Sequence, residues 1–197
     1  MFLGCRKRVK IMNEKLVDDF IKRFPIPKGN SKNPYVILFD AYTGMGKSTI
    51  ALEIAKHENA IILNNDEVRN FLNDYDDKTN MKDSLQKYRL EKLLENNNNC
   101  IYDSCFCHSY ESKLEYFKNI GYKYFIVRID CSDKTVEERL ANRTVNGINY
   151  SIADYNGYLW MKNNVKRVPT ELIDFVINNE QELEPQIMKL IDYIHKH

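Results

Sequence analysis

Residues 41–48 read AYTGMGKS and lie between the apolar run YVILFD at 35–40 and the helical run STIALEIA at 48–55. Ala41, Gly46, Lys47 and Ser48 fill the phosphate-loop pattern, in which Gly or Ala is followed by four residues and then Gly-Lys-Ser/Thr; Gly44 adds freedom inside the loop. The chemistry needs these types. Successive backbone N–H groups wrap phosphate oxygens, the following helix turns its positive end towards them, and a lysine reaches the outer phosphates. The backbone of Thr43, Gly44, Met45, Gly46, Lys47, Ser48 and Thr49 is expected to line a nucleotide's phosphates. The Ser48 hydroxyl is the candidate ligand for Mg²⁺. A plain glycine-rich turn between strand and helix would not require the Gly-Lys-Ser triplet.

The chain has 197 residues, enough for one core of ordinary size. Its 29 Lys and Arg balance 28 Asp and Glu, so no global charge marks a long nucleic-acid track or a membrane surface. No run approaches the roughly 18 apolar residues of a membrane span. The start MFLGCRKRVKIM places its charges after a very short apolar stretch, the reverse of a secretory signal, and a cytoplasmic location is expected. Cys5, Cys100, Cys105, Cys107 and Cys131 form an odd set that reads as reduced thiols. Cys105, Cys107 and His108 match none of the usual zinc spacings.

Apolar runs recur at 35–40, 60–64, 100–103, 124–129 and 174–177, with helical patterns between them. That alternation predicts a parallel sheet covered by helices. Helices are expected at 47–57, 81–95, 109–119, 133–143, 151–165 and 181–195. An N-terminal amphipathic helix at 13–24 carries Leu16, Val17, Phe20, Ile21 and Phe24 on one face, either to pack on the rest of the chain or to meet a partner. The stretches PIPKGNSKNP at 25–34 and NNNN at 96–99 read as loops, and the chain divides into an N-terminal helix and linker (1–33) and a main domain (34–197).

Asp66 falls where the second strand ends, the side of a parallel sheet on which ligands bind, and Arg69 follows one helical turn later. The pair could accept a hydroxyl proton and hold an anion; equally, Asp66 could cap a helix beside a surface arginine. Asp103 ends the third strand, next to the phosphate loop if strands one and three are neighbours, where it could bind the metal's water shell or orient the acceptor, and otherwise serves a turn. Residues 139–167 hold Arg139, Arg143, Lys162, Lys166 and Arg167 against one acid, Asp154, with the polar loop TVNGIN after Arg143. This is the pattern of a lid that neutralises charge over a nucleotide, or of a solvated helix face. Tyr150, Tyr155, Tyr158 and Trp160 follow as core or base-stacking aromatics.

A phosphate loop, a strand with Asp-x-x-Arg, a strand with Asp-Ser and a strand with an arginine-rich helix and lid follow in that order. Over roughly residues 34–195 this resembles the P-loop small-kinase family that includes the phage polynucleotide 5′-kinase domain, zeta toxins and small-metabolite kinases. The resemblance implies a three-layer α/β fold with about five parallel strands in the order 2-3-1-4-5 and a helical lid. It implies ATP and Mg²⁺ as cofactors and phosphoryl transfer to a hydroxyl. In that family's roles Asp66 is the general base, Arg69 and Asp103 hold the acceptor, Lys47 serves the donor phosphates, and the lid arginine on those phosphates is matched best by Arg143, which stabilises the transition state, and second by Arg139. The acceptor favoured by the resemblance is a nucleic-acid 5′ end, with a nucleoside, sugar nucleotide or other small metabolite as alternative; an NTPase switch is the rival from another class. Cys105 and Phe106 depart from the Asn and Leu that the polynucleotide kinases often carry.

Overall fold

The computed structural model describes residues 14–73, 75, 81–142 and 154–197. Five parallel strands, β1 (Tyr35–Asp40), β2 (Ile61–Asn64), β3 (Cys100–Asp103), β4 (Lys123–Asp130) and β5 (Phe175–Asn178), form one sheet in the order β2-β3-β1-β4-β5. The expected fold class and strand order are both found. Every residue of central β1 is buried, as a strand covered on both faces requires. β1 pairs with β3 from Val36–Cys100 to Leu38–Tyr102 and with β4 from Tyr35–Lys123 to Asp40–Arg128. The carboxyl ends of β1, β2 and β3 therefore lie side by side.

The helices are α1 (Glu14–Arg23), α2 (Lys47–Glu58), α3 (Asn65–Leu72), α4 (Met81–Glu95), α5 (Tyr110–Ile120), α6 (Asp133–Asn142), α7 (Tyr155–Asn164) and α8 (Leu183–Lys196). Most bounds lie within a residue or two of those expected. α7 begins at Tyr155 because the Asp154 carboxylate accepts from the Gly157 N–H at 2.7 Å and sets the helix start; residues 151–153 lie outside the described residues. One short 3₁₀ turn, Thr170–Leu172, was not expected from periodicity.

Two apolar clusters result. The larger surrounds the sheet; the smaller joins Leu16, Val17, Phe20 and Phe24 at α1 to Val68 and Leu72 of α3 and Leu85 of α4. The amphipathic face of α1 thus packs within the molecule. The linker after it is fastened to the asparagine-rich loop. Gly29 N–H donates to Asn96 O at 2.8 Å, and a Cβ on Gly29 would stand 2.1 Å from Asn97 O, so only glycine permits this approach. Asn98 is 6% exposed and its side-chain amide donates to Pro27 O (2.8 Å), Leu93 O (3.1 Å) and Asn96 O (3.3 Å).

Asn98→Ala removes these donors and strands buried carbonyls, a loss of about 2 kcal/mol. Thermal denaturation should show a melting temperature lower by about 6 °C for a chain of this size. An unchanged midpoint would mean that the linker is not held through this side chain.

Candidate active site

The loop after β1 owes its shape to Gly44 and Gly46, at φ 78° and 94°. Space matters as much as dihedral freedom. A Cβ on Gly46 would stand 2.1 Å from Asn179 Nδ2 and 3.3 Å from Arg139 Nη1, and one on Gly44 would stand 2.8 Å from Val136 Cγ1. The buried Asn179 amide donates to Met45 O at 2.7 Å and holds the loop from the far side of β5. No acidic residue lies in the first turn of α2 and no side chain caps it. Its leading amides and positive end are directed at the loop, the arrangement suited to phosphate. Lys47 Nζ donates to Tyr42 O at 2.7 Å, folded onto its own loop.

From the loop a hydrogen-bond chain crosses the sheet. Ser48 Oγ donates to Asp103 Oδ2 at 2.8 Å, and Asn64 Nδ2 donates to the same oxygen at 3.2 Å. Asp103 is 7% exposed and opposite Asn64 in the β2–β3 register, so strand pairing alone sets this contact. Asn64 has a second task. Its Oδ1 accepts from Asp66 N–H at 2.7 Å and from Glu67 N–H at 3.4 Å, capping α3. The capping role weighed for Asp66 thus belongs to Asn64, and Asp66 forms an ion pair with Arg69 one turn on.

Among the described residues of the basic stretch, Arg139, Lys162 and Arg167 have partners within the chain. Arg167 pairs with Asp40 and with Asp130 at 2.9 Å, and Lys162 pairs with Asp133 at 2.7 Å. Lys162, together with the Tyr158 hydroxyl, holds the Asp133 carboxyl below the usual range. Arg139 donates to Asn179 O at 3.0 Å, and its Nη1 lies 3.5 Å from Cys131 Sγ, which keeps it beside Gly46. Tyr158 is buried while Trp160 is 57% exposed. Arg143, the TVNGIN segment and Tyr150 lie outside the described residues.

Asn64, Asn179 and Asp40 were not singled out in the sequence. Asn64 could have been suspected from its place just before an acidic helical turn; Asn179 carries no local signal. Cys105 and Cys107 follow Asp103 closely, with sulfurs 3.0 Å apart and Cys107 Sγ 3.8 Å from Ala41 O in the phosphate loop. Phe106, between them, is buried and its N–H donates to Phe39 O at 3.0 Å, so this departure from the polynucleotide kinases serves packing. The Cys107 thiol donating to Cys105, with the Lys47 ammonium helping, pulls the Cys105 pKa down; the same contact and burial push that of Cys107 up. Among the described residues no group of three His, Cys, Asp or Glu could hold a metal ion.

A parallel 2-3-1-4-5 sheet with a Gly-Lys-Ser loop between β1 and α2 is a P-loop fold of the small-kinase type. Residues 36–168 match the model of an AAA domain family, and the chain belongs to that family. No curated protein matches it. Similar solved structures include the Mycobacterium tuberculosis APS kinase in complex with AMPPNP and APS, with TM-score 0.57, 16% identity, 83% of this chain and 98% of that one. A gluconokinase from Sinorhizobium meliloti 1021 gives TM-score 0.56 and 12% identity over 83% of this chain and 92% of that one. Shikimate kinase from Aquifex aeolicus gives 0.51 and 14% over 82% and 96%. At these identities the likeness is one of fold. Among the described residues no helix is long and apolar enough to cross a membrane.

The sulfur pair predicts unequal reactivity. Cys105, whose pKa is lowered, should be alkylated by iodoacetamide faster at pH 7 than Cys131, whose pKa burial raises, and should keep its rate to lower pH, where Cys131 is fully protonated. Lys47→Ala should slow Cys105 by removing a stabilising charge. Mass spectrometry of the labelled peptides reads both; equal rates at the two sites would refute the assignment.

Proposed function

We propose that the protein transfers the γ-phosphoryl group of ATP to a hydroxyl of a small metabolite. The observation that carries this reading is the Ser48–Asp103–Asn64 hydrogen-bond chain, which joins the phosphate loop to the helix bearing Asp66 and Arg69. Donor-side and acceptor-side groups thereby meet along one edge of the sheet.

The residues present fit ATP and Mg²⁺. The glycine cradle and uncapped α2 suit phosphate oxygens, and the Ser48 hydroxyl with the Asp103 carboxylate supplies the hard oxygen donors that Mg²⁺ takes, directly or through water. When bound, the ion neutralises charge on the phosphates. Lys47 exchanges the Tyr42 carbonyl for a phosphate oxygen. Arg139, already beside Gly46, contributes positive charge on the donor side. Asp66 takes the acceptor proton, with Arg69 placed to hold an acceptor anion, and Arg143 is assigned to the transition state by the family resemblance. Positioning and charge neutralisation then account for most of the rate.

For the acceptor, a small hydroxylated metabolite is favoured over the nucleic-acid 5′ end expected from the sequence. Lys162 and Arg167 are paired with carboxylates within the chain, which leaves less charge for a polyanion. The solved structures named above are an APS kinase, a gluconokinase and a shikimate kinase, which supports the same choice.

Incubation with γ-labelled ATP and a panel of gluconate, shikimate, APS, nucleosides and 5′-hydroxyl oligonucleotides tests this. A labelled small molecule is expected, formed only with Mg²⁺. Preferential labelling of oligonucleotides would return the reading to nucleic-acid ends, and phosphate release without any labelled acceptor would make it an NTPase. Lys47→Ala should abolish transfer without lowering the melting temperature. Asp66→Asn should reduce kcat by about 100-fold or more with ATP affinity retained, whereas Arg69→Ala should act on acceptor KM. Loss of ATP affinity in both acceptor-side variants would remove Asp66 and Arg69 from that side.

A further inference from the structure

Arg89, near the middle of α4, is 7% exposed, and its Nε and Nη1 are shielded from solvent without a hydrogen-bond partner. Its guanidinium lies over the Phe24 ring at 5.0 Å. Burial pushes its pKa down, with Glu67 only partly offsetting it. Yet arginine stays charged in proteins, so this is a cation taken from water and given no ion-pair partner among the described residues. It lines a cavity of about 670 Å³ together with Arg23, Phe24, Pro25, Ile62, Glu67, Asn70 and Phe71. That volume is of the size that takes small molecules, about 300–1,000 Å³.

The walls define what would fit. Arg23 and Arg89 supply two positive charges against the single Glu67. Phe24 and Phe71, with ring centroids 6.0 Å apart, and Ile62 and Pro25 supply an apolar surface; Glu67 and Asn70 can accept from a hydroxyl or amine. None of these residues belongs to the phosphate loop or to the Ser48–Asp103–Asn64 chain. Three of them, Arg23, Phe24 and Pro25, precede the region that matches the family model. We propose that this cavity is a second binding site, separate from the phosphate loop, for a small aromatic oxyanion whose carboxylate or phosphate is held by Arg89 and Arg23. Its ring rests on the apolar wall, where Phe24 already carries the Arg89 guanidinium.

Titration calorimetry on the full chain, with ADP and Mg²⁺ present to occupy the phosphate loop, tests the site with AMP, 4-hydroxybenzoate and inorganic phosphate as probes. One-to-one binding of AMP or 4-hydroxybenzoate is expected, weakened about tenfold or more in Arg89→Met, which deletes a charge-assisted contact while keeping a long apolar side chain. Arg23→Met, on an exposed residue, should weaken binding as well and keeps the test valid if Arg89→Met does not fold. ADP affinity should not change in either variant. Three results would overturn the proposal: no binding by either aromatic probe, affinities indifferent to the substitutions in the folded variants, or inorganic phosphate binding as tightly as both.

Discussion

A single carboxylate at the end of the central strand organises the molecule. Asp40 is fully buried, accepts from Arg128 Nε at 2.8 Å and Arg167 Nε at 3.2 Å, and also takes the Val168 N–H at 3.2 Å. Arg167 reaches onward to Asp130 and to Ile129 O. One acid thereby ties β1, β4 and the segment after α7 together directly beneath the phosphate loop. Such a cluster gains little net energy, because desolvation offsets most of its attraction, but losing one partner leaves a buried charge and costs about 3–5 kcal/mol. Its value is positional. Tyr42, two residues further on, repeats the tie through its hydroxyl, which donates to Val165 O at 2.6 Å.

With its start fixed, the loop is gripped from two other directions. Val136 and Leu140 of α6 press on Gly44, and Asn179 beyond β5 binds Met45 O. The loop's backbone is thus set before any ligand arrives, the condition under which backbone amides hold phosphate without a reorganisation cost. Because α6 both touches Gly44 and carries Arg139, a shift of that helix would move loop and arginine as one unit.

The strands were legible because each is short, β-branched or aromatic, and bounded by turn residues, a pattern that burial in a parallel sheet imposes directly on sequence. The phosphate loop was legible because its chemistry tolerates few substitutions. What escaped was whatever depends on partners distant in sequence. Arg167 and Lys162 looked like ligand-facing cations because their acids, Asp40, Asp130 and Asp133, lie 29 or more residues away. The run NNNN was read only as a loop, yet within it Asn98 is a buried clasp; asparagine announces a turn or cap locally but not which distant carbonyls its amide will find. Asp66 and Asn64 show the same ambiguity at shorter range, since either could have capped α3 and only the folded register decides.

The proposed donor and acceptor sides rest on different foundations. The phosphate loop is part of the main core, whereas α3 is anchored through Val68 and Leu72 to the smaller cluster completed by α1. The Asn64 cap and the Gln86 amide, which donates to Asn65 Oδ1 at 3.2 Å, are its polar ties at the end nearest the loop. An eight-residue helix is too short to persist alone, so its position depends on these contacts. The N-terminal helix, outside the region matched by the family model, therefore supports the residues assigned to the acceptor. Variation in that helix can move Asp66 and Arg69 relative to Lys47 without altering the phosphate loop, a physical route by which one P-loop scaffold can serve different hydroxyl acceptors.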